Sequence, residues 1–342
     1  MHALVTGGAG YFGELLVRAL LARGDSVRVL DIAENASLPD AVEILRGDIR
    51  DPSAVRRAVS GVQAVFHCVA QVPLAKDREL FESVNVGGTD ILARECLGAG
   101  CRKLVLLSSS AVYGAPRKNP VTRRTSPAPR EAYGRAKLAG DRRALAYVGQ
   151  GLDVSIVRPR TILGHGRLGI FQIVFEWVRT GRPLYVLGGG HNRFQLVYAE
   201  DLADLCLRAA ERRGPAVYLA GAERFGSMRA LLTGLAAAAG SKSTVRSLPL
   251  GITAHTMKLT GRLGLTPLGD YHALMYGREL FFDTSDATRE LGWHPRYSND
   301  EMMLQSYEHY IAHREEILAR RGASHHRSPA RRGLLALLDR LP

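Results

Sequence analysis

The sequence predicts an α/β fold, a doubly wound parallel sheet followed by a smaller C-terminal region, and three observations carry that prediction. Short apolar runs at residues 2–6, 26–32, 62–70 and 103–107 alternate with helical patterns through the first half. The first run passes at once into Thr6-Gly7-Gly8-Ala9-Gly10-Tyr11-Phe12-Gly13 and then into the spacing Leu15, Leu16, Ala19, Leu20, the order of strand, tight turn and helix. Proline and glycine punctuate the second half into shorter elements. Residues 1–160 therefore read as the main sheet domain, 161–312 as a mixed region whose chain returns to it, and 313–342 as a basic, flexible tail.

The glycines at 7, 10 and 13 have separate tasks: a sharp turn, close backbone approach to a pyrophosphate, and close packing of helix on strand. A lone glycine cluster reads equally well as an ordinary turn. The flanks favour a dinucleotide site, with Tyr11 and Phe12 in its loop. Asp31 ends the second run, 18 residues after Gly13, where a carboxylate accepts hydrogen bonds from the adenosine ribose hydroxyls. No arginine for an NADP phosphate lies in the loop or directly after Asp31, so the cofactor expected is NAD. Asp48, in Gly47-Asp48-Ile49, is placed to bond the adenine amino group with Ile49 beside it; the alternative for Asp48 is a helix N-cap before Pro52. The run 62–70 ends at Val69 and Ala70, beside the cofactor.

The run 103–107 leads into Ser108-Ser109-Ser110-Ala111-Val112-Tyr113-Gly114, and about 20 residues later comes Tyr133-Gly134-Arg135-Ala136-Lys137. Tyr133 and Lys137 stand at i and i+4, on one helix face. A phenol titrates near 10, too high for a proton shuttle at neutral pH unless a cation stabilises the phenolate, which Lys137 supplies while holding the nicotinamide ribose. A serine hydroxyl at the strand end bonds the same substrate oxygen. The residues alone do not choose among Ser108, Ser109 and Ser110.

With these residues the chain resembles an extended short-chain dehydrogenase/reductase of the NAD-dependent epimerase/dehydratase family. The likeness covers roughly residues 1–312 and includes Asn85-Val86-Gly87-Gly88-Thr89, Arg158-Pro159, residues 188–201 and Phe282-Asp283 through Leu291-Gly292-Trp293-His294-Pro295. It implies a Rossmann-type NAD-binding domain with a smaller substrate-binding region, and an enzyme. In that family the catalytic Ser/Thr lies four residues before the tyrosine of the VYG signature, which implies Ser109. The resemblance also implies Tyr133 as acid/base, Lys137 as its partner, Asn85 near the active site and Pro159 beside the nicotinamide. By the same likeness, residues 85–99 and 133–150 would form a homodimer's four-helix interface.

With 342 residues, 46% of them hydrophobic, the chain can bury a substantial core. No apolar stretch reaches membrane-spanning length, and the N-terminus enters a strand directly. Cys68, Cys96, Cys101 and Cys206 lack metal spacing and read as reduced packing residues, so the cytoplasm is expected and no metal. The net charge of +13 is partly local, since residues 320–342 hold six arginines against one acid. That tail reads as a solvated end or as a weak contact with an anionic membrane surface. No basic-aromatic interleaving points to nucleic acid.

Between Ser110 and Tyr133 lie Arg117, Lys118, Arg123, Arg124 and Arg130, with no acid before Glu131. They read either as a clamp for the diphosphate of a nucleotide sugar or as a solvated lid. In relatives acting on nucleotide sugars an arginine precedes the strand before Asp201. Here Phe194 occupies that position and Arg193 stands one residue early. Thr161 replaces an asparagine common in those enzymes, and residues 158–166 also resemble the 3β-hydroxysteroid dehydrogenase branch. Ser110 and Ala111 occupy places where dehydratases carry acids. The substrate residues expected are Ser110, Arg123, Thr161 and Arg193. The leading reading is a nucleotide-sugar epimerase; the second is a dehydrogenase or ketoreductase on a lipophilic substrate, and a non-catalytic NAD-binding subunit is a third.

Overall fold

A computed structural model of the protein describes residues 1–33, 37–71, 78–167, 170–262 and 276–319. The first half alternates strands and helices: β1 (His2–Thr6), α1 (Tyr11–Ala22), β2 (Ser26–Asp31), β3 (Glu43–Arg46), α2 (Pro52–Val59) and β4 (Ala64–His67). A π-helical segment, Phe81–Gly88, runs into α3 (Thr89–Gly98), followed by β5 (Lys103–Leu107), α4 (Ala132–Ala146) and β6 (Val154–Pro159). The sheet has seven strands in the order β10-β6-β5-β4-β1-β2-β3, where β10 is Ala216–Ala220, and every pairing in it is parallel. The winding reverses between β1 and β4, so the C-terminal ends of those two strands open the crevice where ligands bind in such sheets.

Alternation along β1 feeds two separate cores, and this is why the run is apolar throughout. Ala3 and Val5 pack with Leu16, Val17 and Leu20 of α1 on one face. Leu4 joins Leu92 of α3 and Val55 of α2 on the other. At the opposite end of the sheet Lys103, 3% exposed, donates to Asp153 at 2.7 Å and to the carbonyls of Arg212 and Gly214. A cation so deeply placed persists because each ammonium proton has an acceptor. The N-cap of α2 is Asp51, whose carboxylate accepts from Ser53 N, and not Asp48.

The second half leaves the sheet at β7 (Thr161–Leu163), returns in β10, and leaves again. Outside the sheet β7 pairs with β9 (Leu196–Tyr198), and β8 (Leu184–Leu187) with β11 (Val245–Leu248). Helices α5 (Ile170–Arg179), α6 (Ala199–Glu211), α7 (Met228–Ala238), α8 (Leu250–Arg262), α9 (Ser285–Leu291) and α10 (Asn299–Ala312) complete this part. The segment after α9 is strapped to α6: Trp293, fully buried, donates its indole N–H to Asp201 O, and the Asp201 carboxylate accepts from Arg296 N, Arg296 Nε and Tyr297 N.

The tail expected from residue 313 begins as a packed helix, α11 (Arg314–Ala319), with Ile317 in the core. Residues 314–319 thus belong to the packed fold, and residues 320–342, with the membrane-surface reading placed on them, lie outside the described residues. Glu176 of α5 holds α11 in place. Its carboxylate accepts from Arg314 Nε at 2.6 Å, Tyr310 Oη at 2.8 Å and Arg179 Nη2 at 3.1 Å.

Burial alone would raise the Glu176 carboxyl, but these bonds, led by Arg314, pull it from 4.5 down to about 2. A carboxyl depressed by folding stabilises the native state above its unfolded value, and that contribution is lost as pH falls through the folded value. Glu176→Gln should therefore lower Tm at pH 7, with the gap to wild type narrowing as pH drops from about 4.5 toward about 2. Thermal melts at pH 7, 5 and 3 check this, and a gap that stays constant removes charge from the explanation.

Candidate active site

Three chain segments meet at the switch point. The first is the glycine loop. Gly7 has φ +75°, and a Cβ there would meet Val69 N at 2.9 Å, so the end of β4 lies directly against the turn. A Cβ on Gly13 would meet Gly7 O at 2.0 Å, which fixes how closely α1 approaches β1. Gly10 caps α1 without a side-chain bond. The N-terminus of α1, where Phe12 and Gly13 stand in the first turn, is the positive end of the helix and suits an anion. Asp31 sits at the end of β2 and accepts from Ala9 N and Ala33 N, both at 3.0 Å. It ties loop to strand and keeps acceptor sites for ribose hydroxyls, since a carboxylate offers about four. This cradle fits a dinucleotide: it is a space that side chains would fill. Arg46 stands opposite Asp31 in the β2/β3 register, a nearby cation that reading along the sequence missed.

Two expected cofactor contacts also have partners within the chain. The Asp48 carboxylate accepts from Arg50 N and Arg50 Nε, and the Arg50 bond holds its carboxyl below the usual range. Ile49 is buried and would press on a Cβ at Gly88, so it packs on the π-helical segment. Asn85 accepts from Gln71 N at 2.8 Å and donates to Gln71 O at 3.1 Å. Both ends of its amide thus pin the loop that follows Val69 and Ala70; its position bears on the cofactor through that loop. His67, at the end of β4, bridges Thr6 Oγ1 and Thr89 Oγ1.

The second segment is β5 and the turn after it. Ser109 caps the 3-10 turn Ser110–Tyr113, its hydroxyl accepting from Ala111 N at 3.1 Å. Ser110 points elsewhere: its oxygen accepts from Arg160 Nη1 at 3.0 Å, and both residues are buried. The three serines thus separate by environment, with Ser108 buried beside Asp141.

The third segment is α4. Glu131 caps it, accepting from Tyr133 N and Gly134 N. Glycines set its approach: a Cβ on Gly134 would meet Ala111 O at 2.5 Å, and one on Gly140 would meet Asn85 O at 2.4 Å. Tyr133 thereby sits against the serine turn, its ring 6.2 Å from Phe81. Lys137, 5% exposed, donates from Nζ to Leu107 O at 2.7 Å. Burial lowers its pKa, while Asp141 one turn on opposes that. Asp141 is 1% exposed and accepts from Arg158 Nε and Nη2 at 3.1 and 2.9 Å; Arg158 Nη1 donates to Tyr113 Oη at 2.8 Å. Asp141, Arg158, Tyr113 and Arg160 were not expected as site residues, although Asp141 at Lys137 + 4 shares its helix face. Pro159 ends β6 between the two buried arginines.

Arg123 of the basic lid forms ion pairs with Glu290 at 2.7 Å and Asp286 at 3.3 Å, both on α9. The acids absent from its own stretch come from far along the chain. Phe194 is buried, whereas Arg193 is exposed with its guanidinium 4.5 and 4.2 Å from the rings of Phe225 and Phe281. Thr161 opens β7, half-buried. Among the described residues no group of His, Cys, Asp and Glu is arranged to hold a metal ion, and no helix is long and apolar enough to cross a membrane.

The family model for the NAD dependent epimerase/dehydratase family matches residues 3–221. The chain belongs to that family. Its fold is the extended short-chain dehydrogenase/reductase fold, its cofactor NAD, and its members are enzymes. It is 52% identical over 98% of its length to uncharacterized protein y4nG of Sinorhizobium fredii, covering 85% of that protein. It is 30% identical to UDP-glucose 4-epimerase of Mycolicibacterium smegmatis, over 91% of this chain and 98% of that one. It is 31% identical to human sterol-4-alpha-carboxylate 3-dehydrogenase, decarboxylating, over 61% of this chain and 57% of that one. The solved Thermus thermophilus UDP-glucose 4-epimerase complex with NAD superposes with TM-score 0.73 at 27% identity, covering 91% of this chain and 99% of that one.

The Asp31 carboxylate, joined to the loop amide of Ala9, repels a phosphate on the adenosine ribose. NAD(H) should bind at least about tenfold more tightly than NADP(H), about 1.4 kcal/mol. Calorimetry with both decides it; equal affinities would mean that Arg46 offsets Asp31.

Proposed function

We propose that the protein catalyses reversible hydride transfer at a secondary carbinol or ketone, with Tyr133 as general acid/base, Lys137 as its charge partner and Ser109 as the hydroxyl that orients the substrate oxygen. The observation that carries this is the convergence of Tyr133, Lys137 and the Ser109 turn on the ends of β4 and β5, next to the glycine cradle. When bound, NAD supplies the hydride acceptor or donor. In oxidation the carbinol O–H proton passes to the Tyr133 phenolate oxygen as the C–H hydride leaves; in reduction the phenol returns it. Gly7, Gly10, Gly13 and the α1 amides hold the pyrophosphate, Asp31 the adenosine ribose, and Pro159 lies on the nicotinamide side.

The substrate class we favour is a nucleotide sugar, epimerised by oxidation and re-reduction on a retained cofactor. Likeness to a UDP-glucose 4-epimerase across nearly the whole of both chains supports this reading. Ser110, whose oxygen accepts from Arg160, and Ala111 stand where an elimination would need acids, which favours epimerisation over dehydration. A second reading has specific support. Arg123 is paired internally, Phe194 is buried where an arginine would serve a diphosphate, and the chain also resembles a sterol-4-alpha-carboxylate dehydrogenase. These favour a dehydrogenase or ketoreductase consuming NAD. A homodimer through α3 and α4 remains part of the proposal; the exposed Arg135, Arg142 and Arg143 on α4 require acidic partners in it.

Tyr133→Phe should lower turnover by on the order of 10²-fold or more with NAD affinity nearly unchanged. Wild-type turnover in that variant removes Tyr133 from the mechanism. Mass spectrometry of small molecules released from the purified protein separates the two substrate readings: retained NAD with a nucleotide sugar supports the first. Turnover of a lipophilic ketone with NADH, with every nucleotide sugar refused, replaces it with the second.

A further inference from the structure

Lys137 is an ammonium inside the protein. Moving a lysine from water to a fully buried site lowers its pKa by up to about 3–5 units, enough to leave it neutral near pH 7. An opposite charge within about 4–6 Å returns about 1–3 units. A nearby carboxylate therefore decides whether Lys137 carries the charge its tyrosine needs.

The groups facing Lys137 narrow the choice to one. On α4 itself they are Tyr133 one turn before and Asp141 one turn after. From β4 come His67 and Cys68, both neutral: burial and the Lys137 charge hold His67 down at about 3, and desolvation pushes the Cys68 thiol up to about 12. From β5 come the Leu107 carbonyl, which takes an ammonium proton, and Ser108. Tyr113 is a neutral phenol raised by burial, and Arg158 of β6 is a cation. Asp141 is the carboxyl of this set: burial raises its pKa, and Arg158, Ser108 and Lys137 oppose that by favouring the anion. Both its bonds to Arg158 fall on Oδ2, while Oδ1, also buried, takes none. Arg158 has its own consequence. Lys137 and Asp141 alone sum to zero charge; with Arg158 the set carries +1, and a net positive set is what favours a phenolate at Tyr133.

We propose that Asp141, clamped by Arg158, is a positioning residue of the acid/base set, holding the Lys137 ammonium charged and fixed beside Tyr133 while Arg158 keeps the set net positive. Neither touches substrate; both act through Lys137. The inference rests on the reading of Tyr133 and Lys137 as the acid/base pair.

The test needs no substrate. The chain has six lysines, Lys76, Lys103, Lys118, Lys137, Lys242 and Lys258, so lysine labelled with ¹³C at Cε gives a countable NMR spectrum of the full-length, NAD-saturated protein. The Lys137 signal is the one missing from Lys137→Met, and its titration reads the ammonium directly. Asp141→Asn should move its midpoint down by at least about one pH unit. Asp141→Glu, which keeps the charge, should stay within a few tenths of wild type, and Arg158→Gln, which removes a neighbouring cation, should move it up. Packing changes alone do not produce opposite shifts. An unmoved midpoint in folded Asp141→Asn, or equal shifts in the Asn and Glu variants, overturns the proposal. Should Asp141→Asn not fold, Asp141→Ser takes its place: a midpoint lowered by at least about one pH unit supports the role, and an unmoved midpoint ends it. Wild-type turnover in Tyr133→Phe overturns the acid/base reading itself, and with it the role of Asp141, even where the midpoint moves.

Discussion

The architecture around the site depends on one constraint, keeping a charged lysine in a place nearly closed to water. Lys137 must lie deep enough to reach the ends of β4 and β5, and depth is what threatens its charge. Close approach answers the first need: Gly134 and Gly140 let α4 touch the serine turn and the π-helical segment, backbone to backbone. Internal partners answer the second, with the Leu107 carbonyl on the ammonium and the Asp141–Arg158 pair one turn below. The pair is costly in isolation, since burying two ions rarely favours folding over apolar replacements of the same shape. Its place beside the tyrosine and lysine gives a reason for keeping it.

The sheet sets where this happens. Because the winding reverses between β1 and β4, the glycine turn, the β4 exit and the β5 exit come together at one end of the sheet. The second half is bound to the first by one strand of the sheet, by a shared apolar core and by desolvated polar contacts. Lys103 reaches the carbonyls after α6, Trp293 reaches Asp201, and β10 closes the sheet edge beside β6. Such contacts are directional, so they fix the angle of the substrate-side elements over the crevice.

Local features were legible and distant ones were not. The strand at residues 2–6 matches β1, the run 103–107 matches β5, and Asp31 ends β2, because apolar runs bounded by glycine carry their own signal. The segment expected as one helix at 85–99 begins instead as a π-helix. Its extra residue per turn answers a packing need, the contact of Asn85 O with α4 at Gly140, and no sequence period announces it. Asp48 was assigned by position alone, and its pairing with Arg50 two residues on was not foreseen. The ion pairs of Arg123 were not legible because its partners lie more than 160 residues away. Asp141 was within reach of the same i+4 argument that found Lys137.

Charge count is the least transferable of the sequence signals here. A net +13 suggests a surface that seeks anions, yet many of the arginines are already committed within the fold. Arg123 and Arg212 share Glu290, Arg296 takes Asp201, Arg314 takes Glu176 and Arg158 takes Asp141. For recognition, what counts is a cation's neighbours. Arg193 rests its guanidinium against the touching rings of Phe225 and Phe281, so part of its charge is turned to apolar surface. Arg160, buried on Ser110 with Phe282 beneath it, places a second desolvated cation one residue from Ser109. In so dry a place a charge acts far more strongly than an arginine in water, so the buried Arg160–Ser110 contact weighs more in the local electrostatics than the exposed arginines of the basic loop.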